Sequence, residues 1–160
     1  MQHSQNSNVT ATTVLVAVES AQVREGLVAM LGAVDGFRVD AEADSDERAV
    51  EAARAHRPFL ALVELELAGC GGFWAIRQIE SEGLASVVVA LGRRADFALA
   101  ELVGAQSYIQ MGTSPRDLLS TVEAALAFRA KPGSTSGAQT EHEPLPDANP
   151  VLDKPALVDF

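Results

Sequence analysis

The chain of 160 residues is 48% hydrophobic and 21% charged, a composition typical of a globular protein with a substantial core. Its net charge of −10 argues against nucleic acids and anionic membranes as direct partners, because both are bound by clustered lysines and arginines. The single Cys70 precludes an internal disulfide. Neither a signal-peptide pattern nor an apolar run of roughly 18–20 residues is present. We therefore expect a cytoplasmic protein.

Residues 1–12 are polar and without periodicity, which predicts a disordered N-terminal tail. From residue 13 onwards, strand-like segments alternate with helical patterns. Continuous β-branched and aliphatic runs predict strands that are buried on both faces, and the alternation of apolar and polar residues in 37–43 predicts an edge strand. The predicted strands are 13–18, 37–43, 59–65, 86–91 and 107–111.

Apolar residues at helical spacing predict a helix after each strand. The predicted helices are 21–33, 47–56, one from Phe73 to about Gly83, one from Asp96 through Val103, and one from Pro115 to about 128. Candidate N-caps are Ser20, residues 44–46, Asp96 and Ser114. Connections of this length require right-handed crossovers between parallel strands. The sequence therefore predicts a doubly wound, three-layer α/β domain over residues 13–130.

The composition changes after residue 130. Residues 131–150 are rich in proline, glycine, serine, threonine and acidic residues, which is typical of a linker. The last ten residues, 151–160, are more apolar. They leave three alternatives open, namely a disordered tail, a segment that docks on the same domain, or the start of a second domain. We expect 131–160 to form an acidic linker or tail.

Glu64 is the first candidate functional residue. It lies near the end of the most apolar predicted strand, 59–65, and a glycine-rich loop follows it. In doubly wound folds, ligands bind outside the carboxyl ends of the strands. The residues at the ends of the neighbouring strands should therefore surround Glu64. Those residues are Val18 and Glu19, Leu91 with Arg93 and Arg94, and Met111.

Five short matches to one protein family occur in order along the chain. They are residues 23–27 (VREGL), Arg57-Pro58, Gly69 with Gly72, Gly104-Ala105 with Tyr108, and Thr113-Ser114-Pro115. With these matches, residues 13 to about 128 resemble the receiver domain of bacterial two-component response regulators, most closely the branch that usually carries a helix-turn-helix output. The resemblance implies a five-stranded parallel sheet in a (βα)5, flavodoxin-like three-layer sandwich.

The resemblance also implies a phosphorylation chemistry whose residues this chain lacks. Receivers accept a phosphoryl group from a histidine kinase on an aspartate that ends strand three, where this chain has Glu64. The family's acidic pair corresponds to Val18 and Glu19, its threonine or serine to Leu91, its lysine to Met111, and only its strand-five aromatic, Tyr108, is retained. Because phosphoryl transfer depends on positioning and charge neutralisation, we expect neither phosphorylation nor Mg²⁺ binding. Glu19 and Glu64 are the acids left for a cation.

Two interpretations of Glu64 stay open. As a hypothesis, Glu64 permanently mimics the phosphorylated state, although a phosphoryl group brings about −1.5 to −2 charge and three acceptor oxygens, which a carboxylate does not match. Alternatively, Glu64 is a relic that is paired with Arg93 or Arg94 or is simply hydrated. Leu91 has no hydroxyl, so the family's usual coupling between this position and the strand-five aromatic cannot operate in its normal form.

We expect a receiver-like signalling module that is not an enzyme and acts through protein–protein contact, independently of phosphorylation. Its partner would be a signalling protein such as a kinase, a regulator or an output domain, and we also expect a homodimer. The interface candidates, on helix four, strand five and helix five, are Phe97, Leu99, Tyr108 and Leu119. Two alternatives are a phosphoacceptor that uses a non-standard acid, and a small-molecule sensor with a rim formed by Val18, Leu91 and Met111.

Four other side chains have weaker claims to a function. Cys70, in the loop beside Glu64, is either a redox thiol or an incidental cysteine, since no lysine or histidine lies near it in sequence. Trp74 is either an exposed interface anchor or a core residue. His56 and His142 are far apart in sequence and form no metal-ligand motif.

Overall fold

A computed structural model describes residues 10–93 and 97–130. Predictions for residues 1–9, Arg94, Asp96, His142 and the 131–160 tail lie outside the described residues. Five strands alternate with five helices in the described part of the chain. The elements are β1 (Thr12–Ala17), α1 (Ala21–Gly32), β2 (Phe37–Ala43), α2 (Asp46–His56), β3 (Leu60–Glu64), α3 (Gly72–Ser81), β4 (Val87–Gly92), α4 (Phe97–Leu102), β5 (Ser107–Gln110) and α5 (Pro115–Ala130).

The five strands form one parallel sheet in the order β2-β1-β3-β4-β5. One face of the sheet packs against α2, α3 and α4, and the other packs against α1 and α5. The doubly wound three-layer prediction is therefore confirmed. Strand β3 is central, and β2 is an edge strand as expected. Strand β5 is the second edge, which the sequence did not predict.

Successive side chains along each strand point to opposite faces of the sheet, so the interior consists of two cores. In β3, Leu60 and Leu62 pack toward α1 and α5, whereas Ala61 and Val63 pack toward α2 and α3. All five residues of β3 are buried, which explains why its sequence is a continuous apolar run that ends on a single acid. The period of two along a strand therefore directs the Glu64 side chain to the α1 and α5 side of the sheet.

The helix ends confirm most of the predicted caps. Ser20 Oγ accepts from the Val23 amide at 3.4 Å, and Ser114 Oγ accepts from the Asp117 amide at 3.2 Å. Ser45 caps α2, which begins one residue earlier than predicted. Arg57 ends that helix in the left-handed region with φ 46°, a common conformation at helix C-termini; the following Pro58 disfavours continuation of the right-handed helix.

Gly72 brings the start of α3 against the end of β3. Its amide donates to the Leu65 carbonyl at 3.0 Å. A Cβ at Gly72 would collide with the Glu64 carbonyl oxygen, so glycine is required for this approach. None of the helices in the described residues is both long and apolar enough to span a bilayer.

Candidate functional site

Glu64 ends β3 at the carboxyl edge of the sheet, and its position fits the prediction that neighbouring strand ends surround it. It is opposite Leu91 of β4 in the strand register. The Glu64 residue is only 2% exposed. Its Oε2 accepts a hydrogen bond of 2.9 Å from the Glu19 backbone amide. The carboxylate therefore links the end of β3 to the junction between β1 and α1.

This hydrogen bond replaces the pairing with Arg93 that one interpretation of a relic Glu64 expected. The side chain is buried, and its recorded hydrogen-bond partner is a backbone amide. None of the ion pairs between described residues includes Arg93. The Arg93 amide donates instead to Glu66 Oε1 at 3.4 Å. Any pairing with Arg94 lies outside the described residues.

The two positions that follow β1 have different environments. The Val18 side chain is fully buried in the core beneath α1 and α5. Glu19 is exposed and supplies its backbone amide to Glu64. Arg24 Nη1 donates to the Val18 carbonyl at 2.8 Å and to the Glu19 carbonyl at 3.4 Å. The junction is thus held by backbone contacts from both Glu64 and Arg24.

The positions at the ends of β4 and β5 are apolar. Leu91 is fully buried, and Met111 is half-buried against the same core. Tyr108 is half-buried on the opposite side of the sheet. Its hydroxyl oxygen would lie 2.7 Å from a Cβ at Gly92, so the absence of a side chain at Gly92 allows the ring to approach β4.

A polar cavity of about 370 Å³ lies at this edge. It is lined by Glu19, Ser20, Glu64, Glu66 and Arg93. Among the described residues, no group of three or more histidine, cysteine, aspartate or glutamate side chains is arranged to hold a metal ion. Mg²⁺ requires near-ideal octahedral oxygen coordination. One oxygen of Glu64 already accepts an amide hydrogen bond, so the carboxylates offer an incomplete ligand set.

A second cavity, of about 420 Å³, adjoins the polar one and shares Arg93 with it. It lies between α1 and α5 at the ends of β4 and β5. Leu91 and Met111 line it, as the predicted apolar rim required, but Val18 does not. The same edge of the sheet therefore has a charged half and an apolar half.

Asp46 is a buried carboxylate whose role was not predicted. It was expected to be a helix cap, but Ser45 takes that position. Asp46 is 2% exposed, and its carboxylate accepts from the Cys70 amide at 2.6 Å and the Glu47 amide at 2.8 Å. It thereby anchors the loop between β3 and α3. A Cβ at Gly69 would collide with this carboxylate, which explains the glycine.

The interface candidates divide into two groups. Phe97 and Leu99 on α4 are exposed, whereas Tyr108 and Leu119 are half-buried against the two cores. The prediction missed two apolar side chains that are more exposed than these, namely Leu102 at 80% and Phe128 at 64%. Both lie on helices that flank the edge strand β5.

The remaining candidates are not brought to the carboxyl edge as a group. Cys70 is exposed in the loop that Asp46 anchors. Trp74 on α3 is exposed at the surface, which fits the anchor interpretation better than the core one. His56 is exposed at the end of α2.

No protein-family model matches the chain. The transcriptional regulatory protein PdtaR of Mycobacterium tuberculosis is 31% identical over 116 residues, which cover 71% of this chain and 56% of the relative. The response regulator GacA of Pseudomonas protegens is 27% identical over 117 residues, covering 71% and 55%. The chain thus spans about half the length of these curated relatives.

Solved structures match over the same domain. A two-component response regulator of the LuxR family from Aurantimonas is 27% identical with a TM-score of 0.68, covering 75% of this chain and 88% of the other. The signal receiver domain of the response regulator NarL from Mycobacterium tuberculosis has 24% identity and a TM-score of 0.66, covering 74% and 96%. The second match supports the fold alone.

Proposed function

Because this chain belongs to the receiver domains of two-component response regulators, we propose that it signals through protein–protein contact without being phosphorylated. The observation that carries the proposal is the environment of Glu64. Its carboxylate is buried and bonded to the Glu19 amide, and it is opposite the apolar Leu91 in the strand register. Phosphoryl transfer needs charge neutralisation and positioned donors at this point.

In this proposal, Glu64 holds the junction between β1 and α1 in one arrangement. The link is a charge-assisted hydrogen bond from the Glu19 amide, which is stronger than a bond between neutral groups. Such a permanent link resembles the phosphorylated state only in part, since a carboxylate has less charge and fewer oxygens than a phosphoryl group. If Glu64 acts as a mimic, Glu64→Gln should change signalling output. Unchanged output would identify Glu64 as a relic that only stabilises the fold.

The proposed contact surface consists of α4, β5 and α5. Three α4 side chains, Phe97, Leu99 and Leu102, are exposed, and so is Phe128 of α5. These exposed apolar side chains lie on the two helices that flank the edge strand β5, and exposed apolar surface of this kind favours a protein-binding site. A second copy of the chain, a kinase, a regulator or an output domain would bind here. We propose a cytoplasmic signalling protein that is not itself an enzyme and does not contact nucleic acid directly.

Sedimentation velocity tests the contact surface. We expect the wild-type chain to dimerise, and we expect Leu102→Glu and Phe128→Glu to shift the population toward monomer, because a charge in an apolar interface costs free energy. Phe59→Glu is the control, because Phe59 is also exposed but precedes the central strand β3 and lies on neither α4 nor α5. A monomer at every concentration, or equal effects of all three substitutions, would contradict a homodimer at this surface.

A further inference from the structure

The apolar cavity at the carboxyl edge has the size and lining of a small-molecule site. Its volume of about 420 Å³ lies within the range of about 300–1,000 Å³ that such sites occupy. It opens between α1 and α5, beyond the ends of β4 and β5. The apolar side chains that line it include Leu27, Leu91, Ile109, Met111 and Leu118.

This lining gives water few polar partners. Leu91 is fully buried, and Leu27 and Leu118 are nearly so. The Thr113 hydroxyl, which also lines the cavity, donates to the Gln110 carbonyl at 2.6 Å. Because water in a cavity needs two to four polar partners, an apolar group would displace it at little cost.

Arg93 is the one charged residue among those that line this cavity. It also lines the adjoining polar cavity, so it stands where the two meet. None of the ion pairs between described residues uses its guanidinium group. An arginine at the mouth of an apolar cavity matches a ligand with an apolar body and one carboxylate, since the guanidinium binds carboxylates through two parallel hydrogen bonds.

We propose that this cavity binds a small amphipathic monocarboxylate, with its chain against the half-buried Val23 and Met111 and its carboxylate at Arg93. A single negative charge fits better than several, because Glu19, Glu64 and Glu66 line the adjoining cavity and the chain carries a net charge of −10. The inference goes beyond the proposed signalling function and does not depend on dimerisation, so either can fail without the other.

The test uses the full chain labelled with ¹³C at the methionine methyl groups. The chain has 3 methionines. Met111 lines the cavity, and Met30 on α1 does not, so Met30 is an internal control. The probes are octanoate, 1-octanol and octylammonium, which share a chain length and differ in charge, each kept below the concentration at which it forms micelles.

We expect octanoate to shift the Met111 signal in a saturable way while Met30 stays in place. Affinity should decrease from octanoate to 1-octanol to octylammonium. Arg93→Gln should weaken octanoate binding by about fivefold and abolish its advantage over 1-octanol, since a hydrogen-bonded charge pair at a partly exposed site contributes modestly. Arg116→Gln, a change of the same charge at an exposed residue of α5, should leave the affinity unchanged.

Leu27→Phe should fill the cavity and abolish binding of all three probes, with the fold checked by circular dichroism. If that variant does not fold, the comparison of Arg93→Gln with Arg116→Gln tests the proposed site. A Met111 signal that no probe moves, equal octanoate affinity in Arg93→Gln and wild type, or equal shifts of Met30 and Met111 would each overturn the proposal.

Discussion

The two cavities at the carboxyl edge differ because the strands beneath them end differently. Core residues alternate along β1 as far as Val18, which directly follows the strand, and along β4 as far as Leu91, next to its last residue, so both extend the core beneath α1 and α5 up to the edge. In β3 the same alternation runs through Leu60 and Leu62 and then ends on Glu64. One strand therefore brings a charge to the edge, while its neighbours bring apolar side chains.

The difference shows how one edge of a sheet can hold a polar and an apolar environment side by side. The Glu19 amide donates a hydrogen bond to the buried Glu64 carboxylate, which offsets part of the cost of burying a polar group. Leu91 and Met111 need no such partner, and the cavity beside them is apolar. The apolar cavity, of about 420 Å³, is somewhat larger than the polar one, of about 370 Å³.

The largest expected loss of stability comes from a substitution in the apolar half of the carboxyl edge. We expect Leu91→Ala to lower the free energy of unfolding by about 2–4 kcal/mol, because it removes a fully buried side chain and leaves a cavity. Urea denaturation measures this loss. Leu102→Ala is the control, since its side chain is 80% exposed and should change stability by less than about 0.5 kcal/mol. Similar losses from both variants would contradict the assignment of Leu91 to the core.

A smaller loss of stability is expected from substitutions of Glu64 in the charged half of the carboxyl edge. Glu64→Ala should lower the free energy of unfolding by about 1–3 kcal/mol, because the Glu19 amide loses its acceptor in a buried setting. Glu64→Gln keeps an oxygen that can accept this bond and should cost less. Equal losses in the two variants would show that the carboxylate charge, rather than the amide hydrogen bond, is what stabilises the junction.

The smallest expected change in stability concerns Glu80. This half-buried carboxylate lies away from the carboxyl edge and serves as a reference for Glu64. Burial raises the pKa of Glu80 above its ordinary value of 4.5, while a hydrogen bond from Gln106 and the charge of Arg129 oppose the rise. The folded state thus binds this proton more tightly than the unfolded state. Its contribution to stability is complete below pH 4.5 and is lost as the pH rises through the raised pKa.

Glu80→Gln removes this titration. The variant should therefore gain stability relative to wild type as the pH rises from 4.5 toward neutrality, as measured by thermal unfolding across pH. A constant difference between the two proteins would contradict the raised pKa.

The sequence predicted the sheet, the order of elements and most caps, because apolar runs, turn glycines and capping side chains are local signals. It did not predict the partner of Glu64, which is a backbone amide 45 positions away and so leaves no trace in residue types. Asp46 was misassigned for a related reason. Next to Ser45 it has the pattern of a cap, and only the tertiary approach of the β3–α3 loop gives it the Cys70 amide instead.

Exposure on the last two helices was also only partly predictable. Phe97 and Leu99 are exposed as an interface requires, but the exposure of Leu102 and Phe128 depends on how each helix is rotated against the sheet. Helical spacing in the sequence shows which residues form the apolar face of a helix, but it does not show how much of that face the sheet covers. The small helix α4, with 6 residues, offers too few turns for a periodic signal.

Phosphoryl transfer from a small-molecule donor tests the central claim most directly. The full chain is incubated with Mg²⁺ and either acetyl phosphate or phosphoramidate, and its intact mass is then measured. Because Glu64 is buried and bonded to a backbone amide, with the apolar Leu91 opposite it in the strand register, we predict an unchanged mass. A stable gain of one phosphoryl group that Glu64→Gln abolishes would contradict the account.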